Sequence, residues 1–234
     1  MTNDNKKIIG IIGAMSEEVA PLLEHYDVVQ EIKICDMTFY KVELDDKILY
    51  IVQSKIGKVF AGMTATILIT KFNCEQILFT GVAGSCDTEL DIGDIVISDK
   101  LVQHDFDVTE FGHPYGHVPD CGVFFEADKG LQSLARKVAQ NAQINFKIGG
   151  IATGDQFVND SKRKDFIKSE FSSSAIEMEG GAVAQVAKYF GVKFLILRSI
   201  SDKAEGSANV DFQEFVKIAA VNSSKILIGM VDLI

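Results

Sequence analysis

Lys7-Ile8-Ile9-Gly10-Ile11-Ile12-Gly13 is an apolar run, and Ala14-Met15-Ser16-Glu17-Glu18 brings it to an end. A run this short, without alternation, reads as a strand buried on both faces. The acids that follow suit the first turn of a helix, which the pattern places over residues 17–25. Similar strand-length runs recur at residues 76–80, 94–98, 147–153, 174–178 and 193–199. Helical patterns fall between several of them. Residues 59–72 carry small Ala61, Gly62 and Ala65 for close packing, and residues 130–140 align Leu131, Leu134, Ala135 and Val138 on one stripe. Residues 180–190 form a helix that Gly191 can close, and residues 212–233 form a terminal helix that Asp211 can cap. Residues 38–44 and 47–53 make a hairpin around Asp45-Asp46. The pattern predicts an α/β fold: a single domain over residues 1–234 with a central mixed, twisted sheet flanked by helices.

Bulk properties narrow the function. At 234 residues, 47% hydrophobic and 24% charged, the chain can bury a sizeable core. Its formal net charge of −10 argues against a nucleic-acid partner, which needs clustered Lys and Arg. Cys35, Cys74, Cys86 and Cys121 form no C-x-x-C pair, which fits free thiols in a reducing cytoplasm. Lys6-Lys7 before the first run imitates a signal peptide, but the run stops at Ser16-Glu17-Glu18 with no small-residue cleavage site after it. No stretch of about 18 apolar residues predicts a membrane span. The expected location is cytoplasmic.

Three acids sit where separate apolar runs end: Glu18, Glu179 in Ile176-Glu177-Met178-Glu179-Gly180-Gly181, and Asp202 in Arg198-Ser199-Ile200-Ser201-Asp202. In open α/β sheets ligands bind outside the carboxyl ends of strands, so these carboxylates are candidates for acid–base work on one small molecule. Each alone also reads as a helix-start acid favoured by the dipole. Glu177 shares a face with Glu179 by period-two spacing. It can contact ligand or pair within the core. Gly81-Val82-Ala83-Gly84-Ser85 reads either as a tight turn or as small residues letting Val82, Ala83 and Gly84 approach a flat ligand.

Other motifs are weaker. Gly10-Ile11-Ile12-Gly13 lacks the dinucleotide spacing. His104-Asp105-Phe106-Asp107 alternates His and Asp, but no second His cluster completes a metal site, and it reads as a polar loop. Lys162-Arg163-Lys164 reads as an exposed helix face. Pro114 and Pro119, with Gly112, Gly116 and Gly122, mark a long loop over residues 104–123.

Taken in order, IGIIGAMSEEV (9–19), SKIGKV (54–59), TGVAG (80–84), GDIVIS (93–98), HDFDVTEFG (104–112), TGDQFV (153–158), IEMEG (176–180) and RSISD (198–202) resemble the nucleoside phosphorylase-like superfamily. Within it they are most similar to the 5′-methylthioadenosine/S-adenosylhomocysteine nucleosidases. The resemblance implies hydrolysis of an N-glycosidic bond, releasing adenine from a 5′-modified adenosine, by a homodimer that needs no cofactor and no metal. It implies Glu18 as the base for the attacking water and Asp202 as the acid at purine N7. Glu179 would hold the ribose hydroxyls with Met178 beside the sugar, and Phe157 would stack on adenine while Val158 offers backbone contacts. Met15, Ile56 and Phe212 would line the sugar and its 5′ substituent, Arg198 and Ser201 would belong to the substrate site, and Val108, Phe111 and Pro119 would close the 5′ pocket from the second subunit.

The charges suit that chemistry. Bond cleavage makes the sugar positive and the purine negative, so an acid near N7 and anions near ribose oppose charge where it develops. A phosphorylase would need Arg and N–H donors for phosphate, whereas Ser16-Glu17-Glu18 repels an anion and can activate water. Phosphorolysis and a non-catalytic nucleotide-binding module are the alternatives. Val82 stands where the family often has Ser, and His113 where an aromatic is commoner. TGVAG and TGDQFV resemble the branch that also accepts 6-amino-6-deoxyfutalosine in a menaquinone route.

Overall fold

The computed structural model describes residues 6–204 and 208–234; within 208–214, Phe212 has the only described side chain. The chain begins with β1 (Lys7–Gly13) and α1 (Ser16–His25), then a meander of β2 (Val28–Ile34), β3 (Met37–Glu43) and β4 (Lys47–Gln53). Helix α2 (Lys58–Thr70) leads to two long strands, β5 (Gln76–Ser85) and β6 (Ile95–Gln103). A 3-10 turn (Thr109–Phe111) and short β7 (Phe125–Glu126) precede α3 (Lys129–Asn141) and β8 (Phe146–Thr153). The chain ends with α4 (Ser161–Phe171), β9 (Ser173–Glu177), α5 (Gly180–Phe190), β10 (Lys193–Asp202) and α6 (Ala208–Leu233).

The sheet is mixed, in the order β10-β6-β8-β9-β5-β1-β4-β3-β2. Because β10 also pairs with β5, the strands β5, β10, β6, β8 and β9 close on themselves. β1, β4, β3 and β2 extend from that ring as an open wing, and short β7 pairs with β6. β1 lies between β4 and β5, parallel to both, which explains its unbroken apolar character. Gly10 within it is a packing device. A Cβ on Gly10 would sit 2.8 Å from Ile77 Cδ1 and 2.9 Å from Leu68 Cδ1. Helices flank the sheet in two groups, α2 packed on α5 and α6 on α1 and α3.

Three departures from the sequence reading have physical causes. β2 is a largely exposed edge strand whose VVQEIKI pattern lacks a clean apolar face. Residues 81–85 continue β5 rather than turning away, because Arg198 to Ile200 of β10 pair alongside Gly81 to Ala83, and β9 covers Gly84 and Ser85. Ring closure stabilises what local sequence alone presents as a loop. Helix α6 starts at Ala208, so Asp211 lies inside its first turn, and the Asp211 side chain falls outside the described residues.

Gly10→Val should crowd Ile77 and Leu68 and destabilise the fold by about 1–3 kcal/mol. Urea denaturation of the two proteins measures the difference, which a neutral result would remove.

Candidate active site

Strands β1, β5 and β10 run parallel, so their carboxyl ends reach the same rim. β9 is antiparallel to β5 and crosses its far end, with Ile176 opposite Gly84, which brings the end of β9 there too. A cavity of about 350 Å³ opens between these ends. Its lining includes Met15, Glu18, Ile56, Val82, Ala83, Gly84, Phe157, Val158, Glu177, Met178, Glu179, Ser201, Asp202 and Phe212. Ala14, Gln156, Ile176 and Ala204 complete it. Gln156 could have been found from its place beside Phe157; the other three are small or aliphatic wall residues without a sequence signal. Phe157 is 47% exposed and meets Phe212 edge-on at 6.0 Å between ring centroids. An accessible aromatic face over an apolar cavity can take a flat ring.

Glu18 is held in the first turn of α1 with both oxygens aimed inward. One accepts from the Ala14 and Met15 N–H groups at 2.5 and 3.1 Å, and the other from the Val82 N–H at 3.0 Å. Gly81 makes this approach possible, since a Cβ there would lie 2.8 Å from Glu18 Oε1. Burial pushes the Glu18 carboxyl above its ordinary range, against the pull of the Arg198 charge and the three N–H groups. Asp202 is also buried; it accepts from the Ser201 hydroxyl at 2.9 Å and the Ala204 N–H at 2.8 Å.

Glu177 and Glu179 divide sharply. Glu177 accepts from the Arg198 guanidinium at 2.6 Å, the Thr153 hydroxyl, and the N–H groups of Glu179 and Gly180 at 3.1 and 2.7 Å. Its acceptor capacity is taken up by protein. Glu179 accepts one N–H, from Gly57 at 2.9 Å, with Arg198 4.0 Å from its other oxygen. Gly57 can present that N–H because it adopts a φ of +102°, a conformation open to glycine. Burial first, then the charge of Glu177, lifts the Glu179 carboxyl to about 8.

Arg198 lies behind the cavity wall rather than on it. Its guanidinium donates to Glu177 and to the Leu197 carbonyl, and it stacks 4.1 Å over the Phe79 ring. The resemblance placed it in the substrate site, but its side chain is 1% exposed and its guanidinium is taken up by Glu177 and the Leu197 carbonyl. Val108, Phe111 and Pro119 do not line this cavity, and Phe111 is 81% exposed. His104 and Asp105 serve the protein interior. The buried His104 ring, pulled down to about 4 chiefly by burial, meets Arg163 at 3.1 Å through Nδ1. Asp105 pairs with Lys58 at 2.6 Å.

A mixed α/β sheet with carboxylates gathered at strand ends around an apolar cavity defines a small-molecule-binding protein. The sequence profile of the Phosphorylase superfamily matches residues 8–232, and the chain belongs to that superfamily. It is 45% identical to an aminodeoxyfutalosine nucleosidase from Helicobacter pylori, over 96% of this chain and 98% of that protein. It is 41% identical to a 5′-methylthioadenosine/S-adenosylhomocysteine nucleosidase from Staphylococcus carnosus, over 95% and 98%. Among solved structures, the Helicobacter pylori 5′-methylthioadenosine/S-adenosylhomocysteine nucleosidase with butyl-thio-DADMe-Immucillin-A superposes with a TM-score of 0.95. That pair is 44% identical over 98% and 99% of the two chains.

Arg198→Met should destabilise the fold by about 3–5 kcal/mol, because it leaves the Glu177 charge buried without its partner. Chemical denaturation tests this, and a loss under about 1 kcal/mol would contradict it. Glu179 generates a pH effect of defined sign. Between its ordinary 4.5 and about 8 the native state keeps a proton that the unfolded chain has lost. That contribution to stability is complete below pH 4.5 and disappears as pH rises through about 8. Glu179→Gln should therefore lose less thermal stability than the parent between about pH 5 and 8.5. Parallel melting curves would refute this.

Proposed function

We propose that this protein hydrolyses the N-glycosidic bond of 5′-substituted adenosines and releases adenine. The observation that carries the reading is the convergence of Glu18, Glu179 and Asp202 on one apolar cavity with the accessible Phe157 ring at its wall. Phe157 stacks on the base while the backbone of Val158 contacts its edge. Glu179 holds the ribose hydroxyls; a carboxyl whose pKa stands at about 8 can donate to one and accept from another. Glu18 takes a proton from water, whose oxygen bonds to C1′ as the C1′–N9 bond breaks. The electron pair of that bond stays with the purine, and Asp202 delivers a proton to N7. The elevated pKa of Glu18 suits a general base working near neutrality.

Water is favoured over phosphate by the cavity itself. Among the described residues no Lys or Arg lines it, and the nearby Arg198 is engaged by Glu177. Phosphate entering there would meet carboxylates without a neutralising fork. The substrates are 5′-methylthioadenosine, S-adenosylhomocysteine, 5′-deoxyadenosine and 6-amino-6-deoxyfutalosine. They share adenine and ribose, and Met15, Ile56 and Phe212 offer an apolar lining for the varied 5′ group. The names of the two relatives at 45% and 41% identity span both the futalosine and the thioadenosine types. No cofactor or metal enters this scheme.

The working unit is a homodimer. Val59, Phe60 and Met63 of α2 are exposed, and a groove of about 720 Å³ runs between α2 and α5 beside them. A second copy seated there would cover apolar surface and bring its own Val108, Phe111 and Pro119 toward this 5′ pocket. The four unpaired cysteines fit a reducing cytoplasm, and no helix among the described residues is long and apolar enough to cross a membrane.

Glu18→Gln and Asp202→Asn should each lower adenine release by about 10²–10⁴-fold while leaving the folded state intact by circular dichroism. Near-normal turnover in either would reject its role. Appearance of a ribose 1-phosphate product in phosphate buffer would replace hydrolysis by phosphorolysis.

A further inference from the structure

Asp105, Lys58 and Asp155 form a knot beside the cavity. Asp105 is the hub: one carboxylate oxygen accepts from Lys58 Nζ at 2.6 Å and the other from the Asp155 N–H at 2.9 Å. Asp155 returns the connection, its side chain accepting from the Lys58 N–H at 2.8 Å. Burial raises the Asp105 carboxyl, but Lys58 and the Asp155 N–H outweigh it and hold the group below its ordinary range. The Lys58 and Asp105 side chains are 17% and 15% exposed, a setting in which an ion pair is screened far less than on an open surface.

The two segments tied together both end at the cavity. One carries Ile56 and Gly57, whose N–H donates to Glu179, immediately before Lys58. The other carries Phe157 and Val158, two and three residues after Asp155. Neither Lys58, Asp105 nor Asp155 lines the cavity. Phe157 itself is half exposed, so its own contacts fix it weakly.

We infer that Asp105 and Lys58 are positioning residues: their pair, closed through Asp155, sets the base-stacking wall at Phe157 and the Gly57 N–H on Glu179 in mutual register. The inference rests on the proposed release of adenine for its kinetic consequence, and on geometry alone for its structural one. A small displacement of groups that orient a substrate can lower turnover about 10²-fold, so a knot outside the cavity can govern chemistry inside it.

The test compares Asp105→Ala, Lys58→Met and their double variant with the parent by hydrogen exchange and adenine-release kinetics. Amide exchange over residues 154–158 should accelerate roughly tenfold or more in Asp105→Ala, which removes the acceptor of the Asp155 N–H, and roughly threefold or more in Lys58→Met, which keeps that acceptor but takes away its partner. The value of kcat/KM should fall roughly 10–100-fold, product inhibition by free adenine should weaken, and Lys58→Arg should recover most of both. The double variant should match the worse single one, as expected of groups that act as a unit. Unchanged exchange, kcat/KM within about twofold of the parent, or losses that multiply in the double variant would overturn the inference. If Asp105→Ala fails to fold, Lys58→Met, which leaves the Asp105 bond to the Asp155 N–H in place, decides alone. A parent enzyme that releases no adenine would sink the proposed reaction, and the exchange data would still judge the knot.

Discussion

The buried pair of Glu177 and Arg198 is the constraint on which the rest of the site depends. Glu177 ends β9 and Arg198 lies within β10, and a second strand end, at Thr153 of β8, bonds to the same carboxylate. Thr153 also accepts the Gly181 N–H, and Glu177 takes those of Glu179 and Gly180. The ends of β8 and β9, the interior of β10 and the start of α5 are therefore fixed to one charge. Removing two charges from water costs several kcal/mol apiece, which geometry of this quality can offset. What the arrangement secures is position. Glu179 is the residue at the head of α5, so its place at the cavity follows from the Glu177 contacts behind it.

The same guanidinium also sets electrostatics at the cavity. Its charge opposes the burial that raises Glu18 and Glu179, without entering the space a ligand would occupy. A cation placed inside would neutralise the carboxylates and invite an anion. Held behind the wall, it lets two acids stay close in an apolar setting, Glu18 raised above the ordinary carboxylate range and Glu179 lifted to about 8. The chemistry proposed for the site depends on this tuning, because proton transfer to and from a small molecule works best with groups poised near the working pH.

Much of the fold was legible locally. β1 and α5 coincide with their sequence boundaries, because a two-sided buried run and a Gly-closed apolar helix leave few alternatives. Gly191 takes the left-handed conformation at the end of α5. β2 escaped because an exposed edge imposes no period on VVQEIKI. The extension of β5 through Gly81–Ser85 escaped for the opposite reason: small residues signal a turn unless long-range partners claim their hydrogen bonds. Glu18, Glu179 and Asp202 were legible as candidates because acids at the ends of apolar runs are conspicuous. Ala14 and Ala204 carried no such signal, and the Asp105–Lys58 pair joins residues far apart in sequence.

By itself the sequence determined the alternation of strands and helices, the acids at the strand ends, and a family resemblance spread along the chain. Only the tertiary structure decided which of two neighbouring acids is taken up by the protein and which is left toward the cavity. Glu177 and Glu179 stand two residues apart, and a strand's period would aim them alike. The chain instead turns into α5 between them, and Arg198 reaches Glu177 at 2.6 Å but stops 4.0 Å short of Glu179. Hydrogen-bond distance is a matter of three dimensions, so one carboxylate became part of the core and the other was left facing the cavity.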